Sequence, residues 1–420
     1  MRETARTIAG QARTGAVTCR AVAEEAIAAV EAVEGTVRAF VDFRPEPVLA
    51  QAERLDALPE GARGPLHGVP VAVKEIYDVA GMECAWGSRI HAGRVPERDC
   101  NMVSILRRAG ALIVGTTVST EYAMSFPGPT RNPHDKERSP GGSSSGSAAI
   151  TGGGALPVAL GSQTVGSIIR PSAYCGAVGY KPTWGAISAA GVMILCEQFD
   201  HLGFITRTVD DAVFAASLFV PGLEGSGGAG ALRVLRLPSW TEAPFAPEVE
   251  QALDTAAARL ESRGIAVAEL TLPDSLQDEG DTHQTILNRA IADHHGADRD
   301  RAPEKMSEVF QGLVDAGRAV SDADYARALQ RRNEIVVALD RLLPENAVFL
   351  TAAATELPPR LGEGHTGSRL AQRLWTHTGM PAVTVPVTRA GPLPVGVQIV
   401  ARRGADADAF SIARMLEAAE

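Results

Sequence analysis

Lys74 closes the apolar run VPVAV, and two serine-bearing stretches follow it, PGGSSSGSAA at 140–149 and GSQTVGS at 161–167. A serine hydroxyl at neutral pH is a poor nucleophile and attacks a carbonyl only when a base takes its proton. The usual base is a histidine oriented by a carboxylate; a neutral lysine is the other known choice. Lysine can serve only if burial or nearby positive charge depresses its pKa. Lys74, at the end of an apolar run, is placed for such desolvation, and its bland alternative is a lysine snorkelling out of a strand end. His134 and His201 are the histidines nearest the serine stretches, and neither lies in a GxSxG-type motif. On residue chemistry alone, the identity of the base stays open.

Other uses of the glycine–serine segment fit less well. A flexible linker carries no buried apolar residues, whereas this one contains AAI, ALPVAL and SIIRP. A phosphate-binding loop needs GxxxxGK[ST] or GxGxxG, and the segment lacks both the lysine and the glycine spacing. Cys175 is a conceivable thiol nucleophile, but its neighbours are small or apolar and no histidine is close in sequence.

The elements that must hold these residues alternate between strand and helix. TCRAVAEEAIAAVEAVE (18–34) reads as an amphipathic helix with Thr18 as N-cap and Gly35 as its stop. LHGVPVAVKE reads as a strand ending near Lys74, and NMVSILRRAGALIVGTT as a helix leading into a strand at 111–115. A helix from about Ser147 and a short strand LPVALG follow the first serine stretch. GLEGSGGAGA (222–231) reads as a linker or surface loop, and 275–345 as mostly helical and charged. GMPAVTVPV and GPLPVGVQIVARR at the C-terminal end suit a hairpin joining a central sheet. The expectation is an α/β chain with a layered sheet.

Bulk properties bound the partners. The chain has 420 residues, 45% apolar, 5% aromatic and a formal net charge of −10. Its basic residues form no stripe that could track a phosphate backbone, which argues against a nucleic-acid partner. Five cysteines, Cys19, Cys84, Cys100, Cys175 and Cys196, are irregularly spaced with no CxxC. That pattern fits reduced thiols in the cytoplasm better than a disulfide framework or zinc knuckle. There is no run of about 18 apolar residues, so neither membrane spanning nor export is expected. No histidine–carboxylate set shows metal-ligand spacing; DHH at 293–295 comes nearest and reads as a solvated helix segment, so no metal and no cofactor are expected.

With GVPVAVKEIYDVAG (68–81), PGGSSSGSAA (140–149) and GSQTVGSIIRPSAYCGAVGYKPTWGAIS (161–188), the chain resembles the amidase signature family. DHLGFITRTVDDA (200–212), GMPAVTVP and LPVGVQIVA extend the resemblance over most of the length, weakest at 222–345. The resemblance implies one large domain over residues 1–420, a central mostly mixed β-sheet covered by helices on both sides, with 222–345 as a variable, largely helical part. It also implies a Ser–cisSer–Lys triad: Ser167 as nucleophile, Ser143 as bridging serine behind a cis Gly142–Ser143 peptide, and Lys74 as base. Ser144 would support the loop by hydrogen bonding and, with Arg170, stand among the substrate-binding residues; Ser144 and Ser145 are the less fitting alternatives for the bridging serine. Backbone N–H groups of Thr164, Val165, Gly166 and Ser167 would form the oxyanion hole.

The chain departs from the family's common TDTGGS loop at two positions. Gln163 stands in place of the acid, as in the malonamidase-like branch, and Val165 in place of a small residue. A β-branched residue resists positive φ, so the loop keeps its shape only if Val165 has negative φ. Near 350, LTAAAT lacks the proline frequent in the family. Arg170, three residues past Ser167, could grip a substrate carboxylate as in malonamidase-like members, or pair with a structural acid. Asp200 is expected to brace the loops, Glu121 to be structural, and Tyr122, Met124, Phe126, Trp375 and His377 are candidates for the pocket wall that suit the core as well.

The resulting expectation is an amidohydrolase that cleaves a small linear amide through an acyl-enzyme, the amide bearing a carboxylate if Arg170 grips the substrate. The alternatives are the amidase-type subunit of a glutamine-dependent amidotransferase, and a diverged family member that transfers an acyl group or binds a ligand in a biosynthetic pathway. The expected partner is a small-molecule amide, and a homodimer is compatible with the sequence.

Overall fold

The computed structural model describes the chain except residues 2, 125, 225–231, 242–243, 277 and 418–420. Most of the linker read at 222–231 therefore lies outside the described residues. Eleven strands form one sheet. They are β1 (Phe40–Phe43), β2 (Pro70–Lys74), β3 (Leu112–Thr117), β4 (Val158–Gln163), β5 (Val178–Lys181) and β6 (His201–Thr206). The second half supplies β7 (Arg233–Arg236), β8 (Val267–Glu269), β9 (Ala347–Ala352), β10 (Ala382–Ala390) and β11 (Leu393–Val400). Their order across the sheet is β1-β3-β2-β4-β6-β5-β10-β11-β9-β7-β8. Parallel pairs at β3–β2–β4 and β9–β7–β8 flank an antiparallel centre, so the sheet is mixed.

The helices are α1 (Ala5–Thr14), α2 (Cys19–Val37), α3 (Pro45–Asp56), α4 (Asn101–Arg108), α5 (Ser145–Gly152), α6 (Ile169–Cys175) and α7 (Val209–Ala216). After them come α8 (Pro247–Glu261), α9 (Glu279–Arg301), α10 (Glu308–Arg318), α11 (Asp322–Leu342), α12 (Leu370–His377) and α13 (Asp406–Leu416). They cover both faces of the sheet. Alternation along β2 shows this locally: Val71 and Val73 join one hydrophobic cluster, while Ala72 joins another with α2 and α5 residues. Every residue of β2 is buried, as expected of an inner parallel strand whose two faces are both covered.

Thr18 caps α2 as read from sequence, its hydroxyl accepting the Ala21 N–H. Gly35 does not stop it. The helix runs to Val37 and ends at Arg38 with φ 56°, because a glycine within a helix costs only about 1 kcal/mol relative to alanine. The C-terminal hairpin enters the middle of the sheet, with β10 pairing β5 and β11 pairing β9. His295 corrects the reading of the DHH segment. It is buried, and its Nε2 lies 3.0 Å from the Ile194 carbonyl.

What matters for the site is the parallel pairing of β2 with β4, registered at Val73–Leu160. It brings the C-terminal ends of both strands, and so Lys74 and the 164–167 loop, to the same edge of the sheet. Ligand sites in α/β sheets concentrate at such carboxyl ends.

Candidate active site

Lys74 is fully buried, and its ammonium nitrogen donates to Ser143 Oγ at 2.7 Å and to Ser162 Oγ at 2.8 Å. Burial pushes its pKa down to about 7, against smaller opposing pulls from Asp200 and Glu75. Near neutral pH, a large fraction of the lysine is therefore uncharged and able to accept a proton. Sequence reasoning missed Ser162. The available signal was strand register, since the residue lies on the strand that pairs with β2.

Ser143 follows a cis Gly142–Ser143 peptide bond. Polar contacts fix this turn from every side. The Ser139 hydroxyl accepts the Gly141 N–H, Ser145 donates to the Gly141 carbonyl, and Ser147 donates to the Leu160 carbonyl. The Ser144 hydroxyl donates to the Ser162 carbonyl at 3.3 Å and accepts the Ser162 N–H at 3.2 Å. It thus ties the serine turn to β4, the loop-supporting position expected of it. Gly146 must be glycine because a Cβ there would sit 2.1 Å from the Ala39 carbonyl oxygen.

Ser167 lies beside this turn, with the Ser144 N–H 3.4 Å from the Ser167 carbonyl oxygen. Its hydroxyl has no hydrogen-bond partner among the described residues, so the structure joins Lys74 to Ser143 but does not join Ser143 to Ser167. Catalytic hydrogen bonds in ligand-free enzymes are often long and tighten with substrate.

The 164–167 loop is held by side chains and leaves backbone donors free. Gln163 Oε1 accepts the N–H groups of Ile168 and Ile169 at 2.8 and 3.0 Å, and Nε2 donates to Thr376 Oγ1. Thr376 Oγ1 in turn donates to the Val165 carbonyl at 2.7 Å. Val165 is buried and absent from the positive-φ residues, so its branched side chain is no obstacle to this backbone. Among the described residues, the N–H groups of Val165, Gly166 and Ser167 donate to no protein acceptor. Asp200 braces the loop through Thr164 Oγ1 at 2.6 Å and the N–H groups of Leu195 and Cys196. Burial pushes its pKa up to about 6.

Arg170 behaves differently from both sequence readings. It is 1% exposed and makes no ion pair among the described residues. It donates to the Gly142 carbonyl at 2.6 Å, the Thr366 hydroxyl at 3.1 Å and the Ser368 carbonyl at 3.2 Å. Burial lowers its pKa to about 10. The side chain braces the serine turn against the 366–368 segment and does not line the neighbouring cavity.

That cavity, of about 410 Å³, is walled by Val165, His283, Glu356, Arg369 and Arg373, among others. Arg373 pairs with Glu279 at 3.0 Å, whereas the Arg369 guanidinium makes no ion pair within 4 Å among the described residues, although Glu356 shares the cavity wall; the Arg369 side chain reaches the Met124 sulfur.

The remaining sequence candidates fall away from this centre. Cys175 is a buried thiol whose pKa is raised by burial, and all five cysteines are free. His134 Nε2 contacts the Cys175 carbonyl, and His201 Nδ1 the Phe199 carbonyl. Glu121 takes the Ser307 N–H and hydroxyl, Tyr122 donates to Asp298, Trp375 is core, and Phe126 is exposed. His377 joins Glu279 and His283 in a buried cluster that sequence spacing missed. The available signal was Glu279 and His283 standing four apart on one helix face.

Known proteins share this fold and sequence pattern. A sequence model of the family described as Amidase matches residues 21–409. The chain is 32% identical to a glutamyl-tRNA(Gln) amidotransferase subunit of Symbiobacterium thermophilum, over 93% of this chain and 91% of that protein. A solved amidase structure superposes with a TM-score of 0.88 at 28% identity, covering 99% of each chain. A protein from a vestigial complex connected with the origins of an s-triazine catabolic enzyme, solved with inhibitor, superposes with a TM-score of 0.90 at 26% identity, over 99% and 98% of the two chains.

Proposed function

The chain belongs to the amidase family, and on that premise we propose that it cleaves a small carboxylate-bearing amide through an acyl-enzyme on Ser167. The observation that carries this reading is the Lys74–Ser143 hydrogen bond at a fully buried lysine, beside a loop with free backbone donors. Neutral Lys74 draws a proton through Ser143 from Ser167 as Ser167 Oγ attacks the carbonyl carbon. The N–H groups of the 165–167 loop receive the developing oxyanion, each such donor lowering the barrier by roughly 3 kcal/mol. The proton then returns by the same route to the leaving nitrogen, and ammonia or an amine departs. Water or a second nucleophile releases the acyl group.

The carboxylate preference is supported by Arg369, a guanidinium on the cavity wall that makes no ion pair within 4 Å among the described residues and with Arg373 outnumbers the one acid there, Glu356. In this proposal it takes the carboxylate-gripping role that was one of two readings of Arg170.

A second reading concerns where the ammonia goes. The Symbiobacterium relative is one subunit of an amidotransferase. That likeness supports a role in which glutamine, itself a carboxylate-bearing amide, is the substrate and a partner protein takes up the ammonia. A solved amidase shares the fold and is compatible with hydrolysis, while the sequence relatives favour the amidotransferase reading.

One experiment tests both. The purified chain is assayed for ammonia release from glutamine and from short amides with and without a terminal carboxylate. Turnover by the chain alone, lost in Ser167→Ala, supports hydrolysis; turnover only with co-purifying proteins supports the amidotransferase reading. Arg369→Gln should raise KM about 10–100-fold for carboxylate-bearing amides only, the worth of one charge-assisted bond. Unchanged turnover in Ser167→Ala refutes the acyl-enzyme.

A further inference from the structure

Behind the cavity wall, three ionisable side chains converge with most of their hydrogen-bonding capacity unfilled. Glu279 opens α9, His283 lies one turn further along the same face, and His377 ends α12. One carboxylate oxygen and one nitrogen from each imidazole lie within 4.8 Å of one another. The three residues are 3%, 1% and 0% exposed. Glu279 Oε1 and all four ring nitrogens lack hydrogen-bond partners among the described residues.

Each such orphan costs about 1–3 kcal/mol when buried. A fold that brings three of them, one from each residue, to one point gains if a single occupant satisfies those three together. Imidazole nitrogens and a carboxylate oxygen are common metal ligands.

The surroundings resemble a ligand set already oriented. Arg373 Nε donates to Glu279 Oε2 at 3.0 Å, which holds the carboxylate and leaves Oε1 toward the histidines, 3.9 Å from His377 Nδ1. The His283 ring stacks on Phe199 with centroids 4.0 Å apart and planes 6° from parallel, which fixes its edge. The Arg373 bond is an outer hydrogen bond of the kind that orients a metal-binding carboxylate.

We propose that Glu279, His283 and His377 form a binding site for a divalent metal ion of the zinc class. Two nitrogens and one oxygen suit that class, whereas Mg²⁺ and Ca²⁺ take oxygen sets. Tetrahedral zinc with bonds of about 2.0–2.2 Å separates its ligands by about 3.4 Å, so the cluster must contract by roughly 1 Å on binding. His283 also walls the cavity, so water or an anionic ligand would complete the coordination from that side. The guanidinium charges nearby oppose the ion and favour an anion in that last position.

The test uses the full chain, stripped with EDTA and dialysed. Zn²⁺ is then measured by mass spectrometry after gel filtration, and Co²⁺ by its visible absorption in titration. One equivalent per chain, with the intense band of a four-coordinate cobalt site, is expected. Glu279→Gln and His283→Gln, on α9, and His377→Gln, on α12, should each lose that equivalent. Thermal melting without metal identifies any variant that fails to fold, and the other two then carry the test. Ser167→Ala should keep its metal, so failure of the acyl-enzyme reading and failure of this one give different results. Wild-type chain that takes up no Zn²⁺ or Co²⁺, or no more than folded Glu279→Gln and His283→Gln, overturns the proposal.

Discussion

Replacing Lys74 by methionine should abolish activity and yet stabilise the fold by an amount that depends on pH. The lysine is fully buried, with its pKa at about 7 against an ordinary 10.5. Between those values, the unfolded chain holds a proton that the folded chain does not. Stability therefore rises with pH through this window and is lowest below pH 7, where folding must bury the charge or shed the proton. At pH 7 the penalty works out at about 4 kcal/mol, and at pH 9.5 at about 1.5 kcal/mol. The advantage of Lys74→Met over wild type should thus shrink by about 3 kcal/mol between the two pH values. Two other effects do not disturb this difference. The hydroxyls of Ser143 and Ser162 lose a donor in the variant, but that loss is the same at both pH values. Lys181, likewise buried with its pKa at about 7, is present in both chains and cancels. Urea unfolding of the two proteins at pH 7 and pH 9.5 makes the measurement. In wild type, kcat/KM should climb tenfold per pH unit below 7 and level off above. A stability difference that stays constant with pH, together with a kinetic inflection near 10, would refute a neutral Lys74.

Asp200→Asn removes a charge that raises the Lys74 pKa while Asn can still accept the Leu195 and Cys196 N–H groups, so the kinetic inflection should move to lower pH; an upward move contradicts the assignment. Arg170→Lys breaks the bonds to Gly142, Thr366 and Ser368, and kcat should fall about equally for amides with and without a carboxylate, with a loss of roughly 2–4 kcal/mol in stability. A KM effect confined to carboxylate substrates would return Arg170 to the substrate site. Gly146→Ala forces a Cβ against the Ala39 carbonyl oxygen, and thermal melting should show a loss of about 3 kcal/mol or more.

The sequence exposed those parts of the site whose chemistry is local. Residue type and short-range pattern offered Lys74 as one candidate base and marked the glycine–serine turn, while the assignment of Ser143, Ser167 and Lys74 as a triad came from the family resemblance. Alternating α/β elements announced the layered sheet for the same reason. Arg170, Ser162 and the Glu279–His283–His377 cluster were misread or missed because their roles depend on pairing across the chain. Arg170 could be read as a carboxylate grip only while its surroundings were unknown, since a guanidinium suits a substrate anion and a backbone carbonyl equally well. Its actual neighbours, Gly142 and the 366–368 segment, are 28 and about 200 residues away, and no window of sequence contains them.

The same distinction explains how a valine could enter the 164–167 loop. If positive φ had been needed at 165, no side-chain contact could have made a β-branched residue comfortable there. The loop instead takes its shape from Gln163 and Thr376, which hold Ile168, Ile169 and the Val165 carbonyl from outside. Backbone donors can then stay in place while the side chain at 165 turns to another task, forming part of the cavity wall along with Arg369 and Arg373. On the proposed mechanism, the loop that would receive the reacting carbonyl and the wall that would select the substrate's far end share one residue. Changing Val165 should alter which amides are accepted more than how fast a good one is cleaved.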